Sequence, residues 1–284
     1  MSKSFAIITP SYHVDAERCA LLVDSFRKYI TENAKHYIIV PKKDRALFEP
    51  MAGGRVEILF QDDLMPGWLL PLFFTSKWWL SLKTLPVRGW IRQQIVKLSA
   101  AIACDADYML FMDSDCFFTR PFDPESLLDQ EGRIPLFRET IEEIPKYRKW
   151  YECGAKILGI NETIKVNLNY VGPFIFWTRA DLLALLERLE QISGKSWQEV
   201  VCRQIDFSEY TVYGMFIEYI RRENSQHYHD NTIRTINYWP ETPASFEDLL
   251  KLQGTISPEH FGAMISSKSN TPVESIVKAF NISA

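Results

Sequence analysis

Two acidic residues, Asp113 and Asp115, directly follow the uninterrupted apolar run from Tyr108 to Met112. A run of this kind predicts a buried strand, and ligands of open α/β sheets bind at the carboxyl ends of such strands. Two carboxylates one residue apart can share a divalent cation that neutralises a diphosphate, and Mg²⁺ or Mn²⁺ prefers such oxygen ligands. The alternative is a polar turn that only ends the strand, since Asp and Ser are common in turns. Because Phe117 and Phe118 follow, two unpaired carboxylates here would be costly, which favours the cation site.

Strands and helices alternate in the part of the chain that leads to this acidic pair. Helical spacing of apolar residues predicts helices over Cys19 to Ile30 and Ile91 to Cys104. Continuous apolar strands between amphipathic helices indicate a mostly parallel sheet with helices on both faces, in a half that covers about residues 1–130. The predicted strands are Phe5 to Thr9, Tyr37 to Val40, Val56 to Phe60 and Tyr108 to Met112.

The second half, residues 131–284, has a different pattern and no clear boundary from the first. A strand from Tyr170 to Trp177 is interrupted by Gly172 and Pro173, and Thr232 to Tyr238 alternates as a strand should. Helices are predicted over Ala180 to Ile192 and Glu209 to Arg221, and Ser245 with Asp248 resembles a capping box. No repeat or low-complexity linker divides the chain, so a single domain over 1–284 is predicted.

Composition excludes several classes of function. The 284 residues carry 32 basic and 36 acidic side chains, and the net charge of −4 excludes a strongly basic nucleic-acid binder. Apolar residues make up 46% of the chain, which is enough for a sizeable core. The chain passes from Met1 into an apolar segment without a cleavage site, so no secretory signal is predicted. Five scattered cysteines without a C-x-x-C pair indicate reduced thiols and a cytoplasmic protein.

The segment from Leu64 to Leu80 is the one place where a membrane contact can be argued. Pro66, Gly67, Pro71 and Lys77 interrupt it, so it is too short and too broken for a spanning helix. Two interpretations stay open: a buried or lid-like loop, or a surface that dips into a bilayer interface. The second would place the protein peripherally at the inner face of the membrane.

Other nucleotide and phosphate enzymes fit the sequence less well. Neither G-x-G-x-x-G nor G-x-x-x-x-G-K-[ST] is present, which argues against dinucleotide oxidoreductases and P-loop NTPases. A hydrophobic strand followed by D-x-D also occurs in haloacid-dehalogenase-type phosphatases. Those enzymes usually carry the motif near the N-terminus, with Thr or Val where this chain has Phe117. The phosphatase interpretation is therefore weakened.

Four ordered segments carry a resemblance to a known family. Besides the D-x-D, they are Thr9-Pro10-Ser11-Tyr12 after the first strand, the helical segment Gly89 to Leu98, Tyr170 to Pro173, and Phe207 to Tyr210. Their order over about residues 4–220 resembles GT-A-fold glycosyltransferases that use nucleotide sugars, in an uncharacterised bacterial branch. The resemblance implies a Rossmann-like, mixed but mostly parallel sheet flanked by helices. It also implies a nucleotide-binding half, 1–130, and an acceptor-binding half, 131–284.

The resemblance also implies a donor site. Thr9, Ser11 and Tyr12 would border the base and ribose of the nucleotide. Asp113 and Ser114 would face the donor. Mn²⁺ or Mg²⁺ would be held by Asp113 and Asp115.

The helix before the D-x-D strand would add polar contacts to the same donor. Arg92, Gln94 and Lys97 would reach its sugar or diphosphate, although their spacing lets them share a helix face only in part. For Arg92 and Lys97 a solvated helix surface is the alternative.

Glu209 is the candidate general base. An inverting transfer needs a carboxylate that takes the proton of the acceptor hydroxyl. A position at a helix start orients Glu209 but lowers its pKa, so burial must offset that effect. The alternatives are plain helix capping by Glu209, and Asp206 in the catalytic role.

A third metal ligand is predicted late in the chain, where enzymes of this fold often use histidine. His260 is the best-placed candidate, and His227 and His229 are spaced to point to one side of a strand. An ordinary core or surface role is the alternative for each.

These observations predict a metal-dependent glycosyltransferase, with an inverting mechanism favoured, that acts in polysaccharide biosynthesis. It would move a sugar from a nucleotide-diphosphate donor to a hydroxyl of a glycan or lipid-linked acceptor. One alternative is a sugar nucleotidyltransferase, although the glycine-rich loop of that class is not what Thr9 to Tyr12 presents. The other is a non-catalytic module that binds a glycan or nucleotide.

Overall fold

A five-stranded sheet forms the centre of the molecule. The computed structural model describes residues 3–72, 75–142 and 144–282. Neighbouring strands of the sheet are parallel except for the edge strand β12, which is antiparallel to β7. The predicted mixed, mostly parallel α/β fold is confirmed. In spatial order the strands are β12 (Ile175–Thr178), β7 (Tyr108–Phe111), β1 (Phe5–Pro10), β2 (Ala34–Val40) and β3 (Val56–Phe60).

Helices cover both faces of this sheet, as expected for strands that are apolar throughout. The stripe of Leu22, Val23 and Phe26 on α1 packs into the core of one face, while Ile91, Ile95 and Leu98 of α4 pack into the core of the other. The helices are α1 (Ala16–Tyr29), α2 (Arg45–Phe48), α3 (Gln61–Leu64), α4 (Gly89–Ala103), α5 (Pro145–Leu158), α6 (Arg179–Ser193), α7 (Trp197–Cys202), α8 (Glu209–Phe216), α9 (Phe246–Gln253) and α10 (Val273–Phe280).

Smaller sheets extend the central one. Two of them flank the acidic pair: β8 follows it and pairs with β15, whereas β9 lies beside β12. The ranges are β8 (Cys116–Phe118), β14 (Thr235–Tyr238) and β15 (Gly262–Ile265) in one sheet, β9 (Ile134–Phe137) with β13 (His227–Asp230), β10 (Glu139–Thr140) with β11 (Leu168–Asn169), and β4 (Leu69–Leu72), β5 (Thr75–Ser81) and β6 (Val87–Arg88).

Several elements differ from the sequence prediction. The segment Leu64 to Leu80 is not a loop but contributes β4 and β5 to a three-stranded antiparallel sheet, apart from residues 73 and 74, which lie outside the described part. The strand predicted from Tyr170 begins only at Ile175, and that predicted from Thr232 begins only at Thr235. The helix predicted over Glu209 to Arg221 is α-helical to Phe216 and continues as a π-helical turn, Ile217–Arg221.

Two predictions about cysteines and caps are confirmed. All five cysteines are free thiols. Ser245 and Asp248 form the reciprocal capping box at the start of α9. Within the described part of the chain, no helix is both long and apolar enough to cross a bilayer.

Candidate functional site

The Lys97 ammonium is the centre of a charged cluster at the carboxyl end of β7. Its Nζ lies 3.3 Å from Asp113 Oδ1 and 3.3 Å from Glu209 Oε1. It also donates a hydrogen bond of 3.0 Å to the Tyr210 hydroxyl. The Lys97 and Glu209 side chains are only 10% and 3% exposed, whereas Asp113 is 60% exposed. The cluster therefore has a sealed side, formed by α4 and α8, and an open side at Asp113.

Hydrogen bonds between α4 and the start of α8 fix the sealed side. Trp90 Nε1 donates to the Phe207 carbonyl at 3.1 Å, and the Glu209 N–H donates to Gln94 Oε1 at 3.1 Å. The Ser208 hydroxyl caps α8 by accepting the Thr211 N–H at 3.3 Å. Because these bonds join α4 to Phe207 and to the Glu209 backbone, the Glu209 carboxylate is held against Lys97.

Burial and charge act in opposite directions on the members of this cluster. Burial disfavours the Lys97 ammonium, but Asp113, Tyr210 and Glu209 together raise its pKa well above the usual value. Burial raises the pKa of Glu209, and the Lys97 charge opposes that rise. A base at a helix start was expected to need burial to offset the effect of the helix on its pKa, and Glu209 as a whole is 2% exposed.

Asp115 faces the other side of the turn, toward the C-terminal part of the chain. Its Oδ2 accepts the Ser267 N–H at 2.9 Å. Arg18 of α1 holds this segment in place, since it donates to the carbonyls of Ile265 and Thr271 at 2.9 and 2.8 Å. Burial and the nearby Asp113 charge raise the pKa of Asp115 to about 6, while the Ser267 N–H and Arg18 oppose the rise.

Asp15 is a further carboxylate in the cluster, and sequence reasoning missed it. It ends the short 3₁₀ turn His13–Asp15 that follows β1. Burial raises its pKa, with a smaller contribution from Asp113, while Arg18 and a hydrogen bond from Ser114 lower it. No motif marks Asp15, and the available signal was its place at the carboxyl end of the strand next to β7.

The three predicted residues at the end of β1 and in the loop after it are placed differently from one another. Thr9 is fully buried and its Oγ1 is hydrogen-bonded to His36 Nε2 at 2.9 Å, so its side chain is not available to a nucleotide. Ser11 is 4% exposed and its N–H donates to the Ile39 carbonyl. Tyr12 is 41% exposed and is the member of the set that a ligand can reach.

The three predicted donor contacts on α4 divide between two faces of the helix. Gln94 and Lys97 meet the start of α8, as described above. Arg92 turns away, stacks over Trp79 with 5.1 Å to the ring centroid, and donates to Gln61 Oε1. Five residues of helix separate Arg92 from Lys97, which corresponds to about 140° around the axis.

Asp206 and His260 lie apart from the cluster. The Asp206 charge acts on Cys153 of α5, and among the described residues no hydrogen bond or ion pair joins Asp206 to Lys97. His260 Nδ1 accepts the Ser257 N–H at 3.0 Å. The segment after His260 runs antiparallel to β8 and reaches Asp115 only at Ile265, about 16 Å further along at the rise of a strand. The predicted third ligand is thus separated from the acidic pair.

The acidic pair suits a hard divalent cation bound together with a substrate phosphate. Asp113 is exposed, Asp115 uses one oxygen for Ser267, and the repulsion between the two carboxylates is what a cation would relieve. Across the described ranges, no group of three or more His, Cys, Asp or Glu could hold a metal. Mg²⁺ often takes only one or two carboxylates and completes its shell with water and phosphate oxygens, which fits this pair.

The fold is similar to that of solved glycosyltransferases. Mouse xyloside xylosyltransferase 1, solved in its apo form, superposes with a TM-score of 0.50 at 8% identity over 95% of this chain and 99% of that one. The apo WbbM bifunctional glycosyltransferase gives a TM-score of 0.48 at 11% identity, over 99% of this chain and 52% of that one. The expected GT-A-like architecture is confirmed by the first of these likenesses.

Residues 5–279 match the family of unknown function DUF6492, and the chain belongs to that family. A search of curated proteins finds no match.

The raised pKa of Asp115 predicts that Asp115→Asn stabilises the fold in a pH-dependent way. A carboxyl with a pKa of about 6 in the folded protein and about 4 in the unfolded chain binds its proton more tightly when folded. The charged form therefore costs stability above pH 6, and the cost fades as the pH falls from 6 to 4. Asn removes that charge and keeps an oxygen for the Ser267 N–H. Urea denaturation should give a gain on the order of 2 kcal/mol at pH 7.5 and little gain at pH 4.5.

Asp24→Asn is the control for this measurement, because Asp24 is 41% exposed on α1. Its free energy of unfolding should change by less than about 0.5 kcal/mol at either pH. A loss of stability in Asp115→Asn at pH 7.5 would contradict the assignment of a strained, buried charge.

Proposed function

We propose that this protein is a glycosyltransferase that moves a sugar from a nucleotide-diphosphate donor to a hydroxyl of a glycan or lipid-linked acceptor, with inversion. The observation that carries the proposal is the buried Lys97, held between Asp113 and Glu209 where β7 ends. In this fold the strand ends are where a ligand is bound. The Lys97 ammonium fixed at that point, beside the exposed Asp113 and the more buried Asp115, suits a diphosphate.

The donor would bind on the open side of the cluster. Asp113 and Asp115 would hold Mn²⁺ or Mg²⁺, and the bound ion would neutralise the diphosphate as it leaves. Lys97 supplies a fixed positive charge next to Asp113, and such preorganised charge favours the developing negative charge of a leaving group. Tyr12, exposed on the loop after β1, is available to stack on the nucleotide base.

Glu209 would take the proton of the acceptor hydroxyl as that oxygen attacks the anomeric carbon. Since the Glu209 side chain is only 3% exposed, the hydroxyl would have to reach it from the open side of the cluster, at Asp113. Burial raises the pKa of Glu209, which suits a base, and the Lys97 charge opposes that rise and so favours the ionised form that accepts a proton. The bond from the sugar to the diphosphate breaks as the new glycosidic bond forms, and the proton ends on Glu209. The Glu209 carboxylate could instead serve to fix Lys97 in place. In that case Glu209→Gln would weaken donor binding, as tested below.

Incubation with Mn²⁺ and a panel of nucleotide sugars tests the reaction. Slow hydrolysis should release a nucleoside diphosphate from at least one donor, and chelation of the metal should abolish it. Glu209→Gln should lower the turnover about 10²–10⁴-fold with an unchanged donor Kd, because only proton transfer is removed. Weaker donor binding in that variant would instead assign Glu209 to the positioning of Lys97.

Two outcomes would overturn the transferase. Release of pyrophosphate from a sugar phosphate and a nucleoside triphosphate would identify a nucleotidyltransferase. Donor binding without any turnover, in the presence of varied acceptors, would identify a binding module. Glu247→Gln is the matched control, since Glu247 is 77% exposed on α9 and should leave turnover unchanged.

We also propose that the β4–β6 sheet contacts the surface of a bilayer, at the inner face of the membrane. Leu82 and Leu85 are 69% and 83% exposed beside it, and Trp78 is 44% exposed. Two cations accompany these side chains: Arg88 lies over the Trp78 ring, and Lys83 lies over that of Trp68. Exposed Leu and Trp side chains with flanking cations suit an anionic lipid surface.

Co-sedimentation with vesicles that contain anionic phospholipid tests this contact. The wild type should sediment with them at low salt, and Leu82→Ser/Leu85→Ser should reduce the bound fraction several-fold because it removes the exposed apolar area. Leu47→Ser, at a residue 51% exposed on α2, serves as control. Absence of wild-type binding would exclude the contact.

A further inference from the structure

A second cleft, with a volume of about 410 Å³, lies beside the π-helical turn that follows α8. It is bounded by the β10–β11 pair, by the segment after Glu162 and by the turn itself. This volume falls in the range of sites for small ligands. Its polar lining includes Arg138, Lys165, Arg222, Glu218, Tyr219 and Asn167.

The cleft opens at the same edge of the fold as the donor site. The start of β9 lies at the start of β7, because the Tyr108 hydroxyl donates to the Gly132 carbonyl at 2.6 Å. The end of β9 lies near Gly172, where an added Cβ would be 3.7 Å from the Phe137 ring and 3.2 Å from Ile175. Since Ile175 is paired with Phe111, the end of β7, the two strands run in the same direction.

Arg138 therefore follows β9 at the level where Asp113 follows β7. One strand, β12, lies between them, so at ordinary strand spacing the lateral separation is on the order of 10 Å. A sugar ring or two spans such a distance. The cleft is thus placed where the distal part of an acceptor would lie while its reacting hydroxyl reaches the donor.

The charges of the cleft leave a net positive potential. Glu218 is ionised and already compensated: Arg138 lies 2.9 Å and His229 3.0 Å from its Oε1, and their contacts lower its pKa despite burial. Arg222 pairs with Glu162 at 2.5 Å. Among the described residues, no hydrogen bond or ion pair engages the Lys165 ammonium, which is exposed in the cleft.

A buried tyrosine lies near these charges. Tyr170 is 2% exposed, its hydroxyl interacts with that of Tyr151, and its side chain is not part of the cleft lining. Burial raises its pKa, and the charges of Glu218 and Arg138 lie close enough to act on it with opposite signs. Gly214 leaves room for its ring, since any Cβ there would overlap it. This packing fixes Tyr170 beside the cleft.

Backbone strain is concentrated in the same place. Glu218 and Tyr219 belong to the π-helical turn Ile217–Arg221, and Arg222 follows with φ of +50° and ψ of −125°. Such turns and such conformations cost free energy and occur often at functional sites. A hydrogen bond joins the π-helical turn to the opposite wall of the cleft, since the Lys165 N–H donates to the Tyr219 hydroxyl at 2.8 Å.

We propose that this cleft binds the acceptor through a negatively charged group on its sugar, a phosphate or a carboxylate. Lys165, whose ammonium has no hydrogen bond or ion pair among the described residues, would meet the anion. Arg222 and Arg138 add positive charge, and Asn167 in the lining is available to hydroxyl groups. This assignment rests on the proposed transferase function. It names the acceptor class as an anionic rather than a neutral glycan.

Isothermal titration with glucose 6-phosphate, glucuronate, glucose and inorganic phosphate tests the proposal on the full chain. Glucose 6-phosphate or glucuronate should bind, and glucose and inorganic phosphate alone should bind more weakly. Whichever of glucose 6-phosphate and glucuronate binds more tightly identifies the anion as a phosphate or a carboxylate. Lys165→Gln should weaken that binding about tenfold, the loss expected for one charge-assisted hydrogen bond. Lys278→Gln, exposed on α10, should leave it unchanged.

The outcomes separate this proposal from the transferase itself. If no anionic sugar binds, or if Lys165→Gln binds it as the wild type does, the cleft assignment is overturned while nucleotide-sugar turnover can stand. If the anionic sugar binds in a Lys165-dependent way but no nucleotide sugar is turned over, the cleft is an anion-binding site. Its assignment as the acceptor site is then overturned. Transfer that is faster to an anionic sugar than to glucose, and that Lys165→Gln slows through KM rather than kcat, supports both.

Discussion

A single buried ammonium, that of Lys97, holds the candidate site together. Removing the Glu209 carboxylate and the Lys97 ammonium from water is expensive, and close attraction repays the cost only when the geometry is good. Here Asp113 and Glu209 both lie 3.3 Å from Lys97, and Tyr210 accepts a hydrogen bond from it. The same ammonium thus joins the end of β7, the middle of α4 and the start of α8. Any rearrangement of one of these elements would leave a charge without its partner.

Several carboxylates lie close together at the carboxyl edge of the sheet, each fixed in position by its neighbours. Asp115 and Asp15 carry raised pKa values there, chiefly because they are buried. Arg18 partly compensates them and at the same time holds the C-terminal segment through Ile265 and Thr271. Proteins often keep destabilising charge where a ligand will use it, at a cost in stability. A diphosphate with its cation would complete this edge, whereas the more distant Lys165 cleft would serve the other substrate.

Local patterns in the sequence predicted the central sheet and much of the site, because both depend on short segments. The apolar run ending at Met112 identified β7, and the acidic pair followed from it. Gln94 and Lys97 were expected to contribute together with Glu209, although only the structure puts all three in contact. Thr9 was placed too close to the ligand, since whether a hydroxyl faces inward depends on a partner such as His36 that lies far along the chain.

The errors have physical causes of the same kind. Pro66 and Pro71 suggested a broken loop, but Pro71 lies in the edge strand β4, where its pairing with β5 shifts register, and proline is tolerated at such positions. The π-helical turn after Phe216 could not be predicted, because its spacing of apolar residues differs too little from that of an α-helix. His260 was predicted from its place in the sequence alone. Its distance from Asp115 is set by the pairing of β15 with β8, which the sequence near His260 does not show. Long-range pairing of this sort has no local signature.

Nucleoside-diphosphate binding to Lys97 variants tests the central claim most directly. Titration calorimetry with Mn²⁺ should give one binding site in the wild type and none in Lys97→Met. Urea unfolding of that variant should show a loss of about 3 kcal/mol, since Glu209 is left buried without a cation. Lys97→Met/Glu209→Gln should regain most of the stability and none of the binding. A Lys97→Met protein as stable as the wild type, with unchanged affinity for every nucleoside diphosphate, would contradict the account.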